Sequence, residues 1–271
     1  MTIYRADKRH GIAWITGGAT GIGRQLALDL AAEGWTVAIT SRAQDPIEPV
    51  IKAAANLPGK VLAHYCDVTD EQGMASTVEA IEAEAGPVVL AVLNAGVYIP
   101  VHAESLSLPS IRKTYDVNIF GVLNGLVPVI EKMGLRGRGH IVLVGSVTAY
   151  FGWPTLAAYG ATKAALNNMA EALQYDLPKM NIRIQIMNPG FVDTPLAAKN
   201  EILMPALMPV DKASKRMMRA IRSGGFETTF PRRFTWGMKL LRILPHRVVF
   251  GFMTYVARWR GYPLMPGRKR D

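Results

Sequence analysis

A single doubly wound α/β domain is the fold this sequence predicts: a seven-stranded parallel sheet flanked by helices, followed by a C-terminal helical extension. Two observations carry the expectation. Short β-rich runs alternate with longer helical stretches, the pattern of strands joined by crossover helices. The strand-like runs are also almost uninterruptedly apolar, as parallel strands covered on both faces must be.

The first strand, Ile12–Thr16, runs into Thr16-Gly-Gly-Ala-Thr-Gly-Ile-Gly and then a helix over Ile22–Glu33. Glycines allow tight turns and close backbone approach, and a helix N-terminus offers free N–H groups to a pyrophosphate. Gly17, Thr20, Gly21, Ile22 and Gly23 are therefore candidates for nucleotide contact. The second strand, Thr36–Thr40, ends at Ser41 and Arg42, where an acidic residue would suit a ribose 2′-hydroxyl and an arginine suits a 2′-phosphate. That pair favours NADP(H), with NAD(H) as a second option. A helix at Ile47–Asn56 leads to the third strand, Val61–Cys66, and to Asp67 and Val68. Asp67 could accept from an adenine amino group or cap the next helix, with Asp70 nearby.

The helix Glu71–Glu84 precedes strand Val88–Leu93, which ends in Asn94-Ala95-Gly96. One long helix is expected over Ser110–Lys132, carrying Asn118, before strand His140–Gly145 and Ser146. The next helix, Ala157–Leu177, holds Tyr159 and Lys163 four residues apart, on one face. A free tyrosine hydroxyl has a pKa of ~10, and a nearby ammonium lowers it. With the Ser146 hydroxyl at a strand end, the three groups would move a proton to or from an alcohol or carbonyl oxygen. Strand Ile182–Met187 is followed by Pro189-Gly190-Phe191-Val192-Asp193-Thr194, a helix near Lys212–Arg222 and a seventh strand at Glu227–Phe230. The stretch 191–224, with Pro195, Leu196, Leu203, Met204, Pro205, Leu207 and Met208, reads as an apolar lid, although core packing explains those residues almost as well.

These residues resemble the short-chain dehydrogenase/reductase family over roughly residues 10–230. The matches are Thr-Gly-x-x-x-Gly-x-Gly at 16–23, Cys-Asp-Val at 66–68, Asn-Ala-Gly at 94–96, Asn118, Ser146, Tyr-x-x-x-Lys at 159–163 and Pro-Gly-Phe-Val-Asp-Thr at 189–194. The resemblance implies a Rossmann domain and a homodimer or homotetramer. It also implies roles. Tyr159 is the general acid in reduction and the base in oxidation. Ser146 holds the reacting oxygen. Lys163 lowers the Tyr159 pKa and binds the nicotinamide ribose, and Asn118 holds a water. Asn94, Ala95 and Gly96 would floor the cofactor site, with Pro189, Gly190, Val192 and Thr194 near the carboxamide. Thr20 departs from the basic residue that many NADP-preferring members carry there.

Composition adds boundaries. Of 271 residues 49% are hydrophobic, enough for a substantial core, and Cys66 is the sole cysteine, so an internal disulfide or cysteine-based metal site is excluded. The first ten residues lack the apolar core of a signal peptide, and the longest apolar run in the tail, Val248–Ala257, is too short to span a bilayer. A cytoplasmic protein is expected, or at most one lying on the inner face of a membrane. Residues 201–271 hold 15 Lys and Arg against 4 Asp and Glu, and so carry the whole net charge of +10. After Phe230, Thr235, Lys239 and Arg242 fall on one helical stripe, and Arg247, Gly251, Thr254 and Arg258 on another, each within a wide apolar arc. Either an in-plane interfacial helix pair or a hairpin packed over the substrate pocket fits that pattern. A redox sensor built on a dinucleotide fold would not need Tyr159 and Lys163, and the tail contains no nucleic-acid module.

Overall fold

The computed structural model describes residues 3–199 and 204–256. Seven parallel strands form one sheet in the order β3-β2-β1-β4-β5-β6-β7. They are β1 Ile12–Thr16, β2 Thr36–Ser41, β3 Lys60–Tyr65, β4 Val88–Leu93, β5 Gly139–Val144, β6 Ile182–Pro189 and β7 Glu227–Phe230. The chain winds outward from β1 to β3, then crosses back to β4 and runs to the other edge. The reversal between β1 and β4 opens a crevice at the strands' C-terminal ends.

Helices cover both faces. On one side α1 (Gly21–Ala32), α2 (Glu48–Ala54) and α7 (Val210–Ser223) bury Leu26, Leu30, Val50, Met217 and Ile221 against β1 and β2. On the other side α3 (Glu71–Ala85), α5 (Gly121–Arg136) and α6 (Ala157–Leu173) bury Met74, Ile81, Leu126, Met133 and Leu166. Trp14, fully buried in β1, joins this second core and donates its indole N–H to Thr40 Oγ1 at 2.9 Å.

Three stretches differ from the periodicity reading. The helix expected over 110–132 is interrupted: α4 (Leu108–Tyr115) passes through a π-helical turn, Asp116–Phe120, into α5. That extra residue per turn is invisible to a 3.6-residue period, and π turns cluster at functional sites. Asn118 lies inside it. The helix expected to reach Leu177 ends at Leu173, and a separate 3₁₀ turn follows at Leu177–Met180, begun by Pro178. Within 191–224, α7 is core, with Ser214 Oγ bonded to Asp29 at 2.6 Å. The preceding loop is tied back by a bridge between Val192 and Met208. Leu203 lies outside the described residues.

The extension forms two helices, α8 (Arg232–Arg242) and α9 (His246–Val256), and Arg258 lies outside the described residues. Met238, Val249 and Met253 are buried with Tyr98, Tyr150, Trp153 and Phe191 in a third apolar cluster. The extension therefore packs on the catalytic end of the sheet.

Candidate active site

A cleft of about 740 Å³ runs along the strand ends and is lined by Gly17, Thr20, Gly21, Ile22, Ser41, Arg42, Asp67, Val68, Asn94, Ala95, Gly96 and Thr194. A smaller cavity of about 120 Å³ is lined by Ser146, Tyr159, Lys163, Pro189, Gly190 and Val192. Ile22, Asn94, Gly96 and Thr194 line both. The two adjoin, so a long ligand in the cleft would end beside the tyrosine.

The β1–α1 loop explains its glycines. Gly17 has φ +67°, and a Cβ there would stand 2.9 Å from Ala95 Cα. A Cβ on Gly23 would meet the Gly17 carbonyl oxygen at 2.3 Å, so only glycine lets α1 start this close. Thr20 occupies the N-cap without a side-chain hydrogen bond to the helix, leaving early α1 N–H groups to an anion in the cleft. Asn94 and Thr16 brace the loop. The Asn94 amide donates to the carbonyls of Thr16 at 3.1 Å and Gly17 at 3.2 Å, and Thr16 Oγ1 accepts from the N–H groups of Asn94 and Ala95.

At the far end Ser41 Oγ accepts from Ala19 N–H at 3.2 Å, so its hydroxyl shapes the loop. The Arg42 guanidinium is half exposed at the cleft edge and paired with Asp45 at 2.9 Å. Asp67 accepts from the N–H and hydroxyl of Thr69, and Asp70 is the residue that caps α3 through Gly73 N–H. The phosphate-facing glycines, the uncapped helix start and the arginine at the ribose end suit a phosphorylated dinucleotide.

Tyr159 stands in the first turn of α6 with Lys163 one turn on, its Nζ 5.6 Å from the tyrosine ring centroid. In the chain by itself burial, and not Lys163, sets the direction of the Tyr159 pKa. Burial dominates and pushes the phenol up to about 12, against the pull of the Ser146 hydroxyl. Lys163 is desolvated too, which brings it down to about 8, and its Nζ donates to the Val144 carbonyl at 2.8 Å. At neutral pH the pair is thus a phenol beside an ammonium, poised to give a proton away. The Tyr98 ring packs edge-on against Tyr159 at 5.6 Å, and its hydroxyl bonds to Thr155.

Asn118 is fully buried and lines neither cavity. Both hydrogens of its amide are taken, by the Val97 carbonyl at 3.0 Å and Thr162 Oγ1 at 3.1 Å, and Oδ1 accepts from Val97 N–H. Its side chain therefore fixes the chain after β4 against α6, and a water held by Asn118 would have to donate to a carbonyl oxygen.

The sequence reading missed a polar network behind the serine. Ser146 N–H donates to Asn188 Oδ1 at 2.9 Å, and Asn188 donates to Asn167 Oδ1 at 2.7 Å and Glu227 Oε1 at 2.9 Å. Glu227 also accepts from the Tyr150 hydroxyl at 2.5 Å and from Lys239 of α8. Burial opposes its charge, but these bonds hold Glu227 below the usual carboxylate range. The available signal was Gln185 and Asn188, two amides in a strand whose other residues, Arg183 apart, are apolar.

A profile described as short chain dehydrogenase matches residues 11–202. An uncharacterized oxidoreductase of Myxococcus xanthus is 33% identical over 241 residues, 89% of this chain and 95% of that one. An NADP-dependent (R)-specific alcohol dehydrogenase of Lentilactobacillus kefiri is 34% identical over 190 residues, 68% of this chain and 74% of that protein. A short-chain dehydrogenase from Streptomyces avermitilis superposes with a TM-score of 0.78 at 21% identity, covering 93% of this chain and 100% of that one, which bears on the fold alone. With the glycine loop, the Ser146–Tyr159–Lys163 cluster and the matched span in one fold, the chain belongs to the short-chain dehydrogenase family of oxidoreductases.

Proposed function

We propose that this chain is an NADP(H)-dependent oxidoreductase interconverting a hydrophobic secondary alcohol and its ketone, or an aldehyde, with Tyr159 as general acid and base. The observation that carries the reading is Tyr159 set beside Ser146 and Lys163 in a cavity that adjoins the dinucleotide-sized cleft. When bound, the nicotinamide supplies or takes up the hydride. Tyr159 gives its proton to the carbonyl oxygen during reduction, Ser146 donates a hydrogen bond to that oxygen, and Lys163 stabilises the phenolate left behind. Tyr98, Val147, Leu156, Phe191 and Leu196 wall the cavity, which favours an apolar substrate, with Val192, Thr194 and Ala197 closing the side after β6. Oxidation of NADPH with a panel of apolar ketones and aldehydes tests the reading, and absence of turnover across that panel would count against it.

Arg42 supports the cofactor preference, as do the NADP-dependent relative and a similar fold titled "ElxO with NADP Bound". A charge-assisted contact to the 2′-phosphate is worth roughly 1.5–3 kcal/mol. NADPH should therefore bind about tenfold or more tighter than NADH, and Arg42→Ala should bring the two together in a fluorescence titration. Equal dissociation constants in the unmodified chain refute the preference.

A homodimer or homotetramer is proposed as well. Val127 on α5 is more than half exposed, as is Phe120 at the edge of the cleft, and apolar exposure along this rod suits contact with a second subunit. Light scattering at micromolar concentration should return at least twice the 29.6 kDa chain mass. The proposed compartment is the cytoplasm, with part of the population at the inner face of a membrane.

A further inference from the structure

The hairpin after β7 turns its polar stripe inward. Thr235 is fully buried and shares a 2.6 Å hydrogen bond with Thr229, while Lys239 reaches Glu227. Trp236, Leu240 and Ile243 consequently face out, at 69%, 62% and 76% exposure. On α9 Val249 and Met253 are buried, while Val248, Phe250 and Tyr255 are exposed. Large apolar side chains gathered on the outside of one hairpin mark a contact surface.

Charge identifies what covers it. From Thr228 to Arg270 the sequence has ten Lys and Arg and no Asp or Glu. Arg232, Arg233 and Arg247 are exposed on the same hairpin. A second copy docked through the same face would bring two positively charged patches together. A bilayer bearing anionic headgroups meets both the charge and the apolar face. Each helix has 11 described residues, ~16 Å at 1.5 Å per residue, and no described helix is long and apolar enough to cross a membrane. The inner face of the same hairpin meets Phe191 through Phe234 and shares an apolar cluster with Tyr98 and Leu156, and Tyr98, Leu156 and Phe191 line the cavity beside Tyr159.

We infer that the outward faces of α8 and α9 dock on an anionic lipid bilayer, and that the cavity behind them draws an apolar carbonyl or alcohol substrate from it. The second half rests on the oxidoreductase reading above; the first does not. The test uses the full chain with vesicles of equimolar phosphatidylglycerol and phosphatidylcholine. Co-sedimentation at low salt that reverses at high salt is expected. The double variant Trp236→Ser/Phe250→Ser should lose at least tenfold in vesicle affinity, and Arg233→Gln/Arg247→Gln about fivefold per charge removed. Both variants should keep NADPH affinity and turnover of a water-soluble ketone, showing that they fold, yet reduce a long-chain ketone dissolved in the vesicles more slowly. Protein that stays in the supernatant at low salt overturns the docking surface. If the serine variant lowers the solution mass while neither protein binds vesicles, the face is a subunit contact and the inference is likewise overturned. Vesicle binding without turnover of any carbonyl supports the docking surface and overturns substrate delivery together with the oxidoreductase reading.

Discussion

Tyr159→Phe is expected to lower kcat for carbonyl reduction by about 10²–10⁴-fold, the usual contribution of a positioned general acid, with KM little changed. The size follows from the lack of a substitute. The Tyr98 hydroxyl, the nearest alternative phenol, is bonded to Thr155 at 2.9 Å. Lys163 directs its ammonium at the Val144 carbonyl, and Ser146, as an alcohol, is a far weaker acid. The variant should still bind NADPH, because the glycine loop and Arg42 are untouched. It should also fold, since it keeps the ring that packs against Tyr98 and removes one hydroxyl. Steady-state turnover alongside an NADPH titration checks this, and activity within fivefold of the unmodified chain would remove Tyr159 from its assigned role.

The fold was legible because its signals are local. Runs such as Val88–Leu93 are apolar at every position and sit between amphipathic stretches, and a parallel sheet covered on both faces is the arrangement that buries both. The Tyr159–Lys163 spacing was equally readable, since four residues is one helical turn. What could not be read depends on the surroundings. The net pKa of Tyr159 turns on its burial, which raises it, and that burial is set by surroundings the spacing does not reveal. The inward face of α8 turns on which partner Lys239 finds, and that partner, Glu227, is contributed by another element. Asn188 was passed over because nothing in its own neighbourhood shows that it meets the Ser146 backbone across two strands. The π turn at Asn118 escaped for the opposite reason: its sequence is ordinary helix, and one extra residue in the turn leaves no compositional mark.

Lys163→Met carries the second large effect, and pH separates its parts. With the Lys163 pKa at about 8, the ammonium is present at neutrality and can stabilise the phenolate that forms as Tyr159 releases its proton. Losing it should lower kcat for reduction by about 10²–10³-fold, a general-acid-sized effect transmitted through the tyrosine. In the unmodified enzyme kcat should be flat below pH 8 and fall above it as Lys163 deprotonates. Tyr159, pushed up to about 12, stays protonated throughout and adds no limb of its own. The variant, having nothing to titrate there, should show no such fall. Stability must move the other way. Burial places the folded-state pKa below the ordinary lysine value of ~10.4, so the folded chain holds this proton less tightly than the unfolded chain. The cost of burying the charge is therefore full below pH 8 and is relieved as pH rises toward ~10.4. Lys163→Met removes that cost, so it should raise Tm at pH 7 and gain progressively less at pH 9 and 10. Loss of activity with gain of stability in one substitution is what a charge buried for chemistry predicts. An alkaline limb that persists in the methionine variant, or a lower Tm at pH 7, would show that Lys163 serves the fold instead.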